Sequence, residues 1–184
     1  MLILASESKR RIELLKDSGI EFKIIKSDIE EKIDYSLKSE EVVMSLAKQK
    51  AMSVFKENPN DTVLAADTIV VLGNEILGKP KDEEDAFQML KKLSDKTHEV
   101  YTGVAIVNKD VSDIFYKKAS IKMHKLSDLQ IREYVETGEP LDKAGSYAIQ
   151  GLGKKLIRGY DGDFFTIMGL PLKEVLEKIK LYVK

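Results

Sequence analysis

Asp67 lies inside an apolar run, TVLAADTIVVL, at residues 62–72. A carboxylate in such a strand must be paired, bind a metal or shift its pKa. Gly73-Asn74 reads as a two-residue hairpin turn. That turn sets Thr68 opposite Lys79 and Asp67 opposite Pro80, so the Gly-Lys-Pro triplet at 78–80 returns to the side of the acid. A structural aspartate–lysine pair is the plainer alternative. Yet a cross-strand pair contributes only ~0.2–1 kcal/mol, which seldom justifies burying charge.

A second group of charges stands where a helix begins. In LILASESKRRIELL, residues 2–15, a short apolar strand runs into a first turn carrying Lys9, Arg10 and Arg11. A helix N-terminus already bears partial positive charge, so these cations are placed against the dipole. Ser8 suits the N-cap position, and Ser6, Ser8 and the free first-turn amides are all donors. With Arg10 and Arg11 they would form an anion cradle suited to phosphate. A solvated basic helix start is the alternative, and these residues alone leave both readings open.

Three further segments carry chemistry-bearing side chains. Val43, Ala47, Lys50 and Val54 follow one helical face. A lysine there either snorkels to water or delivers its ammonium to a phosphate. The acidic loop SDIEEKID, residues 27–34, is either solvated or lends a carboxylate that joins Asp67 on a hard divalent cation, Mg²⁺ or Mn²⁺. The stretch GEPLDKAGSYAIQGLG, residues 138–153, is dense in glycine and turn-rich, with Gln150 between Ile149 and Gly151. The amide of Gln150 offers one acceptor and one donor face, which matches the N–H and C=O edge of uracil or thymine. GLGKKLIRG lacks Walker A spacing, and His98 and His124 have no partner at ligand or triad spacing, so structural roles are expected for both.

Elements that position these residues follow from periodicity and breakers. The pattern predicts strands at 2–5 and 22–26, and helices at 9–18 and 39–55. It predicts a hairpin over 62–78, a helix at 83–93 capped by Asp82 with Asp85 at its third position, and strands at 98–107 and 112–123. A helix near 127–137 ends at Gly138, short strands fall around 146–168, and a last helix follows Pro171. Alternating helices and strands with antiparallel hairpins in the middle predict an α/β fold with a mixed central sheet flanked by helices.

The chain of 184 residues suffices for one sizeable domain or two small lobes sharing a core. Thirty basic against 31 acidic residues give a net charge of −1, which argues against broad nucleic-acid binding. With no cysteine there is no disulfide, thiolate metal site or cysteine nucleophile, which fits a reducing compartment. MLILAS lacks a basic n-region, and no stretch approaches the ~18 apolar residues of a membrane span. A cytoplasmic protein without nucleic-acid or membrane partners is expected.

Taken in order, ASESKRRIELL, SDIEE, LAKQKA, AADTIVV, GKPKD, YTGV, EPLDKAGSYAIQGLG and FTIMGLPL closely resemble the Maf family of nucleoside triphosphate pyrophosphatases, from Ile3 to about Leu176. The resemblance implies a single Maf-like domain spanning residues 1–184. Its implied fold is related to the inosine triphosphate pyrophosphatases, with two lobes and a cleft. It also implies cleavage of a nucleoside triphosphate between the α- and β-phosphates with a divalent metal. Asp67 matches the catalytic acid, Glu31 the acidic residue near the metal, and Lys50 and Lys79 the phosphate-site lysines. Arg10, Thr68 and Gln150 match positions linked to substrate choice in the branch that prefers dTTP and UTP. One departure is Lys9, which stands where the family usually has proline.

The expected mechanism has Asp67 and Glu31 holding Mg²⁺ or Mn²⁺, and Asp67, directly or through water, acting as general base at the α-phosphorus. Ser8, Arg10, Arg11, Lys50 and Lys79 would neutralise the phosphates. Modified pyrimidine nucleotides, in a housecleaning role, are a further substrate class, and a homodimer is an assembly often found in the family. The alternatives are an N7-methyl-GTP pyrophosphatase, a nucleotide-binding regulator of septum formation with little turnover, and an RNA-binding module. The last lacks both net positive charge and aromatic stacking motifs.

Overall fold

The computed structural model describes residues 1–183. Leu2, Ile3 and Leu4 form strand β1 (Leu2–Leu4), and all three are fully buried. An unbroken apolar run of this kind suits a strand covered on both faces. β1 pairs in parallel with β2 (Lys23–Ile24) on one side and β3 (Thr62–Leu72) on the other. β4 (Glu75–Leu77) folds back antiparallel on β3 through Gly73-Asn74, where Gly73 takes φ +62°. The sheet continues through β5 (Thr97–Val107) and β6 (Ser112–Met123) to β7 (Ile157–Asp161), in the order β2-β1-β3-β5-β6-β7 with β4 attached to β3. The helices are α1 (Lys9–Asp17), α2 (Ser39–Glu57), α3 (Glu83–Leu93), α4 (Asp128–Glu136), α5 (Phe164–Met168) and α6 (Leu172–Tyr182).

The chain forms two compact units, and β3, β5 and β6 lend residues to both. One holds Met1–Thr68, Thr102–Lys117 and the residues from Gly169 on. Its core sets Ala47, Ala51 and Val54 of α2 against Ile3, Val63, Ala65, Ala105 and Val107 of the sheet and Ala5 just beyond β1. Alanine on both sides lets the helix come close. Gly103 takes this furthest, since a Cβ there would lie 2.4 Å from the Val43 carbonyl oxygen.

The other unit holds Ile69–Tyr101 and Lys118–Met168. Phe87, Leu90 and Leu93 of α3 and Ile131, Tyr134 and Val135 of α4 are buried in it. Asp82 caps α3 by accepting the Asp85 N–H at 2.8 Å. Ser127 and Gln130 form a reciprocal capping box on α4.

Two expectations change. The β3–β4 register is the expected one, Val70 opposite Leu77, but the ladder ends at Leu77, so Lys79 and Pro80 lie beyond it. Residues 146–168 hold one strand, β7, rather than several. Two 3₁₀ turns at 139–142 and 144–146 lead into this segment, which then holds an irregular stretch, a third 3₁₀ turn at 151–156, β7 and α5. Gly145, Ser146, Gly151 and Gly162 all take positive φ, which breaks a strand each time it would start.

Candidate active site

Side chains alternate along β3, so Val63, Ala65 and Asp67 share a face, and the first two pack against Ala47 and Ala51 of α2. Lys50 lies on the same stripe of α2, three residues from Ala47 and one from Ala51. The next position along this strand row is therefore an acid, and it meets a lysine. The Lys50 ammonium donates to Asp67 Oδ1 and lies 3.1 Å from Glu31 Oε1. Asp67 is 9% exposed. The ion pair answers its burial without further groups.

Glu31 comes from the long segment between β2 and α2, which needs an anchor. Gln49, next to Lys50, supplies it: its Nε2 donates to the Lys32 carbonyl at 2.9 Å and its Oε1 accepts the Lys32 N–H at 3.0 Å. One amide thus satisfies both backbone groups of the residue after Glu31. Nothing in the periodicity of α2 marks Gln49. Its only signal is its place beside Lys50 and its paired donor and acceptor.

Thr68 faces the other way. Its hydroxyl is 2.9 Å from that of Thr102 and accepts from Arg11 Nη2 at 3.0 Å, while Arg11 Nε donates to the Gly169 carbonyl at 2.7 Å. Burial lowers the Arg11 pKa, Asp67 opposes that shift, Arg10 adds to it and Glu31 opposes it. Two donors of the guanidinium are thus spent inside the protein, tying α1 to β3 and to the turn before α6. Ser8 stands at the N-cap of α1, but its hydroxyl makes no capping bond; its N–H donates instead to Ser6 Oγ at 3.2 Å. Arg10 follows in the first turn of α1, which begins at Lys9.

Lys79 and Gln150 belong to the second unit, and both are exposed. The loop after α4 supports each of them. The Gly145 N–H donates to the Gly78 carbonyl, next to Lys79, at 3.0 Å. Gly145 has φ +68° and packs so closely on Val70 that a Cβ would meet it at 2.9 Å. Beneath the loop, the Tyr147 hydroxyl is 2.6 Å from His98 Nε2, and the rings meet edge to face. His98 is 2% exposed, and burial lowers its pKa to about 4.

The residues named from sequence thus fall into three groups. Glu31, Lys50 and Asp67 meet in one cluster; Arg11 joins Thr68, with Ser8 and Arg10 beside it at the start of α1; Lys79 and Gln150 lie in irregular segments of the second unit. The carboxylate pair already shares one cation, the Lys50 ammonium. Among the described residues no group of three or more His, Asp or Glu side chains could hold a metal ion. Two carboxylates nevertheless fit Mg²⁺, which usually takes one or two together with substrate phosphates.

The family model described as Maf-like protein matches residues 1–181. The chain belongs to the Maf family. Maf relatives include a dTTP/UTP pyrophosphatase of Acholeplasma laidlawii, 54% identical over 98% of this chain and 95% of that one. Another, from Caldicellulosiruptor bescii, carries the same name and is 52% identical over 93% of this chain and 89% of its own. Among solved structures, a HAM1 protein from Coxiella burnetii matches with a TM-score of 0.57 at 16% identity, covering 98% of both chains. The Staphylococcus aureus Ham1 protein matches with 0.53 at 16% identity, over 85% of this chain and 79% of its own. At such identity these two speak for the fold alone, and the Maf chain shares it.

Proposed function

We propose that this Maf chain hydrolyses dTTP and UTP to the monophosphate and pyrophosphate. The observation that carries this is the Glu31–Lys50–Asp67 cluster, in a chain about half identical to proteins named dTTP/UTP pyrophosphatase. Asp67 accepts a proton from water, directly or through a second water, and that water's oxygen bonds to the α-phosphorus. The bond from the α-phosphorus to the bridging oxygen breaks, and pyrophosphate leaves with that oxygen. Lys50 stands next to Asp67, where its ammonium pairs with the carboxylate and is at hand for a phosphate. Lys79, Arg10 and Ser8 take phosphate roles, and Gln150 reads the pyrimidine edge. Arg11 holds Thr68 in place as well as adding charge.

Glu31 and Asp67 are the residues that would hold Mg²⁺ or Mn²⁺, which when bound offsets phosphate charge and polarises the α-phosphoryl group. A regulator that only binds nucleotides needs cations but not a buried acid, so Asp67 favours the enzyme. No helix among the described residues is long and apolar enough to cross a membrane. We take the chain to act in the cytoplasm on free nucleotides, without nucleic-acid partners, and a homodimer is the assembly to look for.

A panel of dTTP, UTP, N7-methyl-GTP and single-stranded RNA, with and without Mg²⁺, tests this. Pyrophosphate should appear from dTTP and UTP with Mg²⁺, and in ¹⁸O-water the label should enter the monophosphate. Preference for N7-methyl-GTP, label in pyrophosphate, or binding without turnover would each overturn it.

A further inference from the structure

We propose that Glu139 is a positioning residue that sets the base-reading pose of Gln150. The proposal rests on Gln150 reading the pyrimidine, as above. Gln150 is exposed and extended, with φ −101° and ψ 169°, and so has little of its own to hold it. Immediately after it the chain turns at Gly151, φ +70°, into the 3₁₀ turn 151–156. The first N–H groups of such a turn have no partner within it. Glu139 supplies both: Oε1 accepts the Leu152 N–H at 3.0 Å and Oε2 accepts the Gly153 N–H at 2.8 Å.

The same carboxylate lies flat against Gly151, where a Cβ would come within 2.2 Å of Oε1. Glycine suits this position for its positive φ, and a side chain there would push the Glu139 carboxylate aside. Glu139 is itself fixed from behind. Its N–H donates to Thr137 Oγ1 at 3.2 Å, and the Thr137 hydroxyl donates to the Tyr134 carbonyl at 2.6 Å. The end of α4 is thereby tied to the turn that aims Gln150. One carboxylate with two charge-assisted bonds decides the direction in which the chain leaves Gln150. A helix end further back thus governs a specificity residue 11 positions along the chain.

Glu139→Gln keeps the size and one acceptor oxygen but turns an N–H₂ toward one of the two backbone donors. Base readout should loosen while phosphate chemistry stays. KM for dTTP should rise roughly tenfold with kcat within about twofold, and the preference for dTTP over dCTP should shift by a similar factor. A merely structural role would lower the active fraction, reducing kcat for every nucleotide alike and leaving KM and the preference unchanged; that result overturns the proposal. Gln150→Leu is run beside it. If it leaves the dTTP-to-dCTP ratio unchanged, the base-reading role falls and takes the proposal with it. If it shifts the ratio while Glu139→Gln does not, only the Glu139 proposal falls. Should Glu139→Gln not fold, Glu139→Asp, which shortens the arm by one methylene, is measured the same way. Its Leu152 and Gly153 amides should exchange with solvent at least about tenfold faster than in the parent, and parental protection would overturn the proposal.

Discussion

Arg11 shows how one residue type can serve two ends. From sequence it reads as a phosphate ligand beside Arg10. In the fold its Nε and Nη2 hold Gly169 and Thr68. A lysine cannot serve two acceptors set apart like this with the same fork. Arg11→Lys should therefore leave one buried acceptor unpaired, at about 1–3 kcal/mol. For a chain of this size that lowers Tm by several degrees. Thermal melts of the variant check this. An unchanged Tm with lost activity would assign Arg11 to the substrate alone. Asp67, by contrast, was legible in sequence because an acid in an apolar strand is costly and so conspicuous. Gln49 and Thr102 were not legible, because a polar residue's backbone clamp or hydroxyl contact depends on what tertiary packing brings opposite it.

At the scale of elements, most helices and strands follow from periodicity and caps. The segment 139–168 does not, because positive-φ residues divert it and no residue period records them. The hairpin is instructive in both directions. Its turn and register were readable from Gly73-Asn74, but the point where β4 gives out was not, and so the expected pairing of Lys79 fails. The α2–β5 contact is the element on which the cluster depends. Gly103 has the Val43 carbonyl where its Cβ would be, and α2 carries Lys50. Gly103→Ala must push α2 outward. It should cost about 1–3 kcal/mol, read as a lower urea midpoint, and should reduce kcat beyond the fraction unfolded. A parental midpoint would show that the helix has slack there.

Across the whole molecule, His98 is one group through which pH acts on stability. Its folded pKa of about 4 lies below the ordinary histidine value near 6.5. The unfolded chain therefore binds the proton more readily. The stability that neutral His98 provides is complete above about pH 6.5 and is lost as pH falls through about 4, reaching about 3 kcal/mol at most. Denaturant midpoints of the parent and His98→Gln between pH 4 and 7.5 should converge toward the acid end. A His98 ring that titrates near 6.5 by NMR would contradict this. The family, and with it the nucleotide chemistry, was legible because many modest motifs occur in one order along nearly the whole chain. No single one of them would have sufficed.

The most direct test of the account is the turnover of dTTP by Asp67→Asn with Mg²⁺, measured beside the affinity for a non-hydrolysable dTTP analogue. The account predicts turnover lower by at least about a thousandfold, with affinity within a few-fold of the parent. Near-parental turnover would contradict it, because the proton of the attacking water would then be going elsewhere.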